Sequence, residues 1–276
     1  MADGGKPRRQ TQAARADRHV LYERSVQSVE PECDFIRSTF KSLRGREPRV
    51  LREDFCGTSA ISCHWVGRSR ANRAIGVDLD PEVLAWAREH RLAKLSAGER
   101  GRLHLIEGNV LSVAGDGAGG RVDAVGAFNF SYWVFKTRAL MRRYFSGVRR
   151  SLARDGVFFL DAFGGYDAYR VMRETTAHRG FTYVWDQAHY SPVTGDLRCH
   201  IHFRFADGSK LQQAFTYEWR LWSLPEIREL LAEAGFRRST VYWEGTAPNG
   251  RGNGEFSAEA VGEADAGWVA YIVAEA

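Results

Sequence analysis

A chain of 276 residues with 44% hydrophobic and 12% aromatic composition is long enough to build the core of one domain, or of one domain with an elaboration. Its net charge of +5 is mild, with much of the excess in Lys6, Arg8, Arg9, Arg15 and Arg18, so nothing demands a nucleic-acid partner; four cysteines without C-x-x-C spacing, in a chain too long for a small disulfide scaffold, read as free thiols. No apolar stretch approaches the roughly 20 residues that span a bilayer, and no apolar signal core opens the chain, so a cytoplasmic protein with no membrane partner is expected.

Residues 1–18 are polar, basic and rich in Gly and Ala, and read as a disordered tail. Val20, Leu21, Val26, Phe35, Ile36 and Phe40 then follow helical spacing, interrupted near Pro31, and predict helices that pack before the first strand. From residue 49 the pattern alternates: a strand over 49–54, a helix over 58–67, a strand over 73–78, and a helix from Pro81 to about Leu95. Asp80 as N-cap and Pro81 at the first helical position define that last start. Strands follow at 103–107, 122–128 and 157–161, with a helix over 137–152 between the last two and a Gly-rich loop at 115–120. Over 181–190, 198–205 and 210–222 the texture changes to that of antiparallel strands, and Asp207-Gly208 is a hairpin turn signal. A two-residue loop there makes Ala206 oppose Ser209 and His202 oppose Gln213. His200, His202 and Arg204 then share a face with Phe215, Tyr217 and Trp219, opposite Cys199, Ile201, Phe203 and Phe205. A helix over 225–234 closed by Gly235, then strands near 238–245 and 267–274 joined by a flexible loop through Gly250, Gly252 and Gly254, complete the chain.

The most informative stretch is Arg49-Val50-Leu51-Arg52-Glu53-Asp54-Phe55-Cys56-Gly57-Thr58-Ser59, because Gly76-Val77-Asp78-Leu79-Asp80-Pro81 follows it at the spacing of a nucleotide-binding βαβ unit. A strand runs into a turn that Gly57 makes feasible, a helix starts at Thr58 or Ser59, and Asp78 ends the next strand 21 positions after Gly57. A carboxylate there is placed to accept from two ribose hydroxyls, with Leu79 beside it to pack on a base. The G-x-G-x-x-G cradle of dinucleotide enzymes is missing, which favours a ligand with a ribose and a cationic end over NAD.

These residues resemble the class I S-adenosylmethionine-dependent methyltransferases, whose first motif reads acid-x-G-x-G-x-G with the common variant C-G-T-G. Cys56-Gly57-Thr58 matches that variant and Glu53 its acid; Phe55 and Ser59 stand where two glycines are usual, and Asp54 where an apolar residue is usual. The resemblance implies a Rossmann-like, seven-stranded α/β sheet over 19–164 and 223–276 whose last strand enters antiparallel. It also implies that 165–222 is an inserted antiparallel β cap that sets substrate choice. The implied cofactor is S-adenosyl-L-methionine. Glu53 or Asp54 would face its ammonium, with Cys56, Gly57 and Thr58 in the loop against it. Tyr22 would close over the methionine end or pack its own helix, and Arg52 would instead reach the methionine carboxylate. Glu107-Gly108-Asn109-Val110 resembles the family's G-D-[AVIL] element, with the Asn109 amide oxygen accepting from the adenine amino group and Val110 beside it.

Phe128-Asn129-Phe130-Ser131-Tyr132-Trp133 follows the fourth strand at the sheet's carboxyl edge, where ligands of open α/β sheets bind. The resemblance puts sulfonium and substrate there, with Asn129 and Ser131 on the cofactor side, Tyr132 a candidate proton acceptor, and Trp133 a substrate contact or a core residue. Asp161, a candidate acid or base, and Phe163, a candidate substrate contact, end the fifth strand. His200, His202, Tyr217 and Trp219 are candidate substrate contacts on the proposed cap face. Two histidines at that spacing can share a metal ion, but no third ligand is fixed by sequence, so no metal is expected. The leading reading is a methyltransferase of a small-molecule amine or hydroxyl acceptor, acting as a monomer or homodimer. The alternatives are an RNA or protein methyltransferase, supported by the basic tail, and a non-catalytic S-adenosylmethionine-binding regulatory protein.

Overall fold

The computed structural model describes residues 10–116, 121–248 and 252–276. Lys6, Arg8 and Arg9 of the basic tail, residues 117–120 of the Gly-rich run and Gly250 lie outside the described residues. In chain order the elements are α1 (Gln12–Arg15), α2 (Arg18–Ser25), α3 (Val29–Arg44), β1 (Val50–Asp54), α4 (Ala60–Arg68), β2 (Arg73–Asp78), α5 (Pro81–His90), α6 (Ala97–Arg100), β3 (Leu103–Glu107), α7 (Val110–Asp116) and β4 (Val122–Ala127). They continue with α8 (Arg138–Ser151), β5 (Leu152–Gly164), β6 (Met172–His178), β7 (Phe181–Tyr190), β8 (Asp196–Arg204), β9 (Lys210–Arg220), α9 (Leu224–Glu233), β10 (Arg238–Thr246), β11 (Gly252–Glu259) and β12 (Trp268–Glu275). Two compact units result. One comprises Ser28–Ala168 and Trp219–Ala276; the other comprises Tyr169–Glu218 and the described residues up to Gln27.

The larger unit is an eight-stranded sheet in the order β11-β10-β12-β5-β4-β1-β2-β3. β1 to β5 are mutually parallel, and β12 enters antiparallel between β5 and β10. This is the Rossmann-like α/β sheet expected from sequence, enlarged by one strand. β11 lies in the stretch expected to be a flexible loop and pairs antiparallel with β10. Its glycines concealed the alternation that marks a strand. Strand pleating assigns the side chains to two faces. Leu51, Ala124, Val157, Phe159, Tyr271 and Val273 meet Cys33, Ile36 and Phe40 of α3 and Ile61, Trp65 and Val66 of α4 in one core. On the opposite face Phe158 packs against Tyr144 and Phe145 of α8 and against Phe236 after α9. Helix starts follow local chemistry: Asp80 accepts from the N–H groups of Glu82 and Val83, and Ser223 with Glu226 forms a capping box. The helical stretch is interrupted at residues 26–28, and Pro31 sits in the first turn of α3, where its missing donor costs nothing.

The smaller unit carries the antiparallel sheet β6-β7-β8-β9, matching the expected insertion and adding β6 to it. Residues 12–18, read as tail, form α1 and the start of α2. The Gln12 N–H donates to Asp207 Oδ2 at 2.7 Å and the Ala13 N–H to Ser209 Oγ at 3.0 Å, so these helices pack on the small sheet and only α3 packs ahead of β1. The β8–β9 hairpin corrects the expected register. Gly208 N donates to Phe205 O at 3.0 Å and Phe205 N to Ser209 O at 3.0 Å, with Gly208 at φ +81, which makes a three-residue loop. One added residue exchanges the faces. Phe215 and Tyr217 therefore join Ile201, Phe203 and Phe205 in the small core, away from the face that holds His200 and His202.

Candidate functional site

The loop after β1 is built on three left-handed backbone positions, Phe55 (φ 58), Gly57 (φ 50) and Ser59 (φ 58), two of them held by residues with a Cβ. Such conformations cost on the order of 1 kcal/mol each outside glycine and persist where the surroundings enforce them. The enforcing contacts are visible. Cys56 N donates to Val77 O at 2.9 Å, and Gly57 N donates to Asp78 Oδ2 at 2.7 Å, tying the loop to the end of β2. A Cβ on Gly57 would meet no protein atom within 4 Å, so the loop faces open space at that point. Asp78 Oδ1 also accepts from Asp80 N at 3.0 Å, and each oxygen retains a second lone pair; burial raises this carboxyl above its ordinary value. Beside it Leu79 is 67% exposed, an apolar surface next to a carboxylate. Asn109 caps α7 by accepting the Leu111 N–H at 2.9 Å, and Val110 is buried.

Pleating separates the acids of β1. Glu53 points toward α4, where Oε2 accepts from Ser62 N at 2.9 Å and Ser62 Oγ at 2.5 Å, and burial pushes its carboxyl up to about 7. Arg52 and Asp54 point to the other face. The Arg52 guanidinium, 1% exposed, donates to both Asp54 oxygens at 2.8 and 3.1 Å and to Ser151 Oγ at 2.8 Å, while Tyr144 OH donates to Asp54 Oδ2 at 2.8 Å. The expectation that Arg52 or Asp54 meets a ligand is therefore corrected: a buried, mutually satisfied network occupies both. Cys56 is buried in the loop with its thiol pushed well up by burial, and Thr58 is buried with a hydroxyl that has no protein partner.

The loop after β4 holds two consecutive left-handed residues, Asn129 (φ 55) and Phe130 (φ 57), and Asp161 explains them. Its carboxylate accepts from Asn129 N at 2.6 Å and Phe130 N at 2.9 Å. Burial pushes Asp161 up to about 7 in spite of these bonds. Asp161 thus positions the loop. Tyr132, expected as a proton acceptor, is fully buried and donates its hydroxyl to Asp161 O at 2.7 Å, with its ionisation pushed well above the usual range by burial; it is a core donor. Ser131 Oγ donates to Phe128 O at 2.9 Å. Trp133, Phe163 and Trp219 come together, joined by Phe130, with Trp133 and Trp219 buried, so Trp219 stands apart from the histidine face expected for it. Phe163 lies 4.7 Å from Phe130 and 4.8 Å from Trp133 between ring centroids, and Trp219 lies 6.0 Å from Trp133.

The remaining expected residues belong to the smaller unit. Tyr22 packs on Phe215 at 5.0 Å, and burial and Tyr22 push the Tyr217 hydroxyl well up. Both lie in the small core, which is a structural setting for them. His202 Nδ1 accepts from Gln213 N at 2.9 Å, which leaves the proton on Nε2 to donate to Asp186 Oδ2 at 3.1 Å; Arg173 donates to the same oxygen at 2.8 Å. His200 Nδ1 lies 2.9 Å from Thr216 Oγ1, and burial lowers its ionisation. No group of metal-binding side chains occurs among the described residues.

Sequence reading missed Glu32. It lies in α3, four positions before Ile36, and is 4% exposed with Oε2 unpartnered. An acid on the apolar stripe of a helix was the available signal.

Read from one edge, the order β3-β2-β1-β4-β5-β12-β10 with β12 reversed, and the loop after β1 tied to an acid at the end of β2, are the fold of the class I S-adenosylmethionine-dependent methyltransferases. An S-adenosylmethionine-dependent methyltransferase from Clostridium acetobutylicum shares it at 15% identity and TM-score 0.66, over 92% of this chain and 96% of that one. The amino pentose methyltransferase of calicheamicin biosynthesis from Micromonospora echinaspora, solved with S-adenosylmethionine, superposes at 20% identity and TM-score 0.63, over 93% and 95%. A sugar N-methyltransferase from Streptoalloteichus covers 100% of this chain and 98% of its own at 20% identity and TM-score 0.62. No family model and no curated protein matches the chain.

Proposed function

We propose that this protein is an S-adenosylmethionine-dependent methyltransferase whose acceptor is a small molecule carrying an amine. The observation that carries the reading is the loop after β1. Its left-handed backbone, its open side at Gly57 and its link to Asp78 form a cradle for a nucleoside. The residues fit the cofactor: Asp78 has lone pairs for two ribose hydroxyls, Leu79 offers an apolar face to adenine, Asn109 and Val110 lie at the end of β3, and buried acids without cationic partners suit a positive ligand. When bound, the cofactor supplies an electrophilic methyl group on a sulfonium. The chain's part is to hold donor and acceptor in line and to exclude water. Phe130 and Phe163, half-buried and backed by the buried Trp133 and Trp219, form an aromatic face at the sheet's carboxyl edge that suits a cationic or sugar-borne amine. Asp161 holds the loop that carries Phe130 and Trp133. The amine, in preference to a hydroxyl, draws support from neighbours described as amino pentose, sugar and glycopeptide N-methyltransferases.

Calorimetric titration with S-adenosylhomocysteine and with NAD, followed by incubation of a metabolite extract with methyl-labelled S-adenosylmethionine, tests the reading. Binding of the first nucleoside alone and label in a small amine are expected. Label in RNA or protein instead overturns the acceptor class, and binding without turnover on any fraction supports a regulatory binder.

A further inference from the structure

At the carboxyl end of the larger sheet, on the face covered by α3 and α4, three acids are buried together. Glu53 lies one residue before the end of β1 and Asp161 near the end of β5, both on that face by the alternation that puts Leu51, Val157 and Phe159 there. Glu32 enters from α3. Its neighbour Cys33 approaches Ile61 O of α4 at 3.8 Å, next to the Ser62 that holds Glu53, and Phe35 stacks at 4.4 Å on Tyr271, the cross-strand partner of Asp161. The acids differ in how they are satisfied. Glu53 Oε2 takes two donors from Ser62, and each Asp161 oxygen takes a backbone N–H. Glu32 accepts from the Ser28 backbone, and its Oε2 is buried with no partner. An unpaired buried carboxylate oxygen costs several kcal/mol unless the group stays protonated or meets a cation.

We propose that Glu32 is the counter-ion of the α-ammonium at the amino-acid end of the cofactor, an inference that rests on the function proposed above. The two charged groups that act on Glu32 work in the same direction. Glu53 from β1 and Asp161 from β5 repel a second negative charge, and Tyr271 from β12 and Cys33 on the same helix are neutral. Arg68 of α4 is already paired with Asp34. Burial and these two acids push the Glu32 carboxyl up to about 8, so near neutral pH the ligand-free protein holds a proton there. The arriving ammonium favours the carboxylate, and that proton leaves to the buffer. Cofactor capture is therefore coupled to proton release.

Titration calorimetry of the full chain near pH 7, repeated in buffers of different ionisation enthalpy, measures both effects. The probes are S-adenosylhomocysteine, which carries the ammonium, and 5′-methylthioadenosine, which lacks the whole amino-acid end. Wild type is expected to release about one proton with the first probe and none with the second. Glu32→Gln is expected to weaken the first by about 10- to 100-fold, to reduce the release, and to leave the second unchanged, which also certifies that the variant is folded. Equal loss of both probes, unchanged S-adenosylhomocysteine affinity, or proton release in Glu32→Gln as large as in wild type overturns the assignment. Wild type that binds neither probe overturns the cofactor reading itself.

Discussion

The two units bury acids in opposite ways. In the smaller sheet Asp186 lies between Arg173 and His202; burial alone would raise its carboxyl, but hydrogen bonds from both partners hold it below the ordinary range. At the carboxyl end of the larger sheet Glu32, Glu53 and Asp161 are equally buried, hold only neutral donors, and are pushed up to about 8, 7 and 7. The first arrangement is complete as folded. The second stores unfavourable electrostatics that a cationic ligand would relieve, as active sites often do. The opposite face of β1 repeats the contrast within one strand, since Asp54 is matched by Arg52 and Glu53, one residue earlier, has no cation.

Breaking a completed arrangement has the largest expected effect. Arg52→Met leaves the buried Asp54 carboxylate with Tyr144 alone and should cost about 3–5 kcal/mol of folding stability, read by denaturant unfolding. A loss below 1 kcal/mol would mean that water reaches the pair. Asp78→Ala removes the acid proposed to hold the cofactor's ribose, and S-adenosylhomocysteine affinity should fall by roughly 1.5–3 kcal/mol in calorimetry. The lost Gly57 and Asp80 N–H bonds add about 1–2 kcal/mol of instability.

The three raised carboxyls set a pH dependence. Their folded values of about 7 to 8 exceed the ordinary 3.8 to 4.5, so the folded state holds more protons across that window, and stability falls as pH rises through it. Asp186, shifted downward, contributes stability above its ordinary value that is lost in stronger acid. Urea unfolding of the ligand-free protein should therefore give a higher midpoint near pH 5.5 than near pH 8, and a flat profile would refute the burial of uncompensated acids. The smallest effect is expected at Ser59→Gly, which relieves a left-handed residue whose hydroxyl is buried and unpartnered. Stability should rise by about 0.5–1 kcal/mol, seen as a higher melting temperature.

Local chemistry alone determined much of the larger unit. The strands at 73–78 and 103–107, the Asp80–Pro81 helix start, the turn at Gly57 and the acid at 78 are each fixed by alternation, capping or φ within a few residues, and all appear where the sequence put them. The link from Asp78 to the loop follows from that spacing. Tertiary structure decided what depends on partners distant in the chain. A single extra loop residue before Ser209 moved Phe215 and Tyr217 from the expected histidine face into the small core, because strand pleating has a period of two. Pleating also sent Arg52 and Asp54 to Tyr144 and Ser151, across a sheet face that no local pattern reveals. Glu32 reads in sequence as one more acid in a helical first turn; only the packing of α3 over the ends of β1 and β5 takes it out of water, and that burial gives it chemistry.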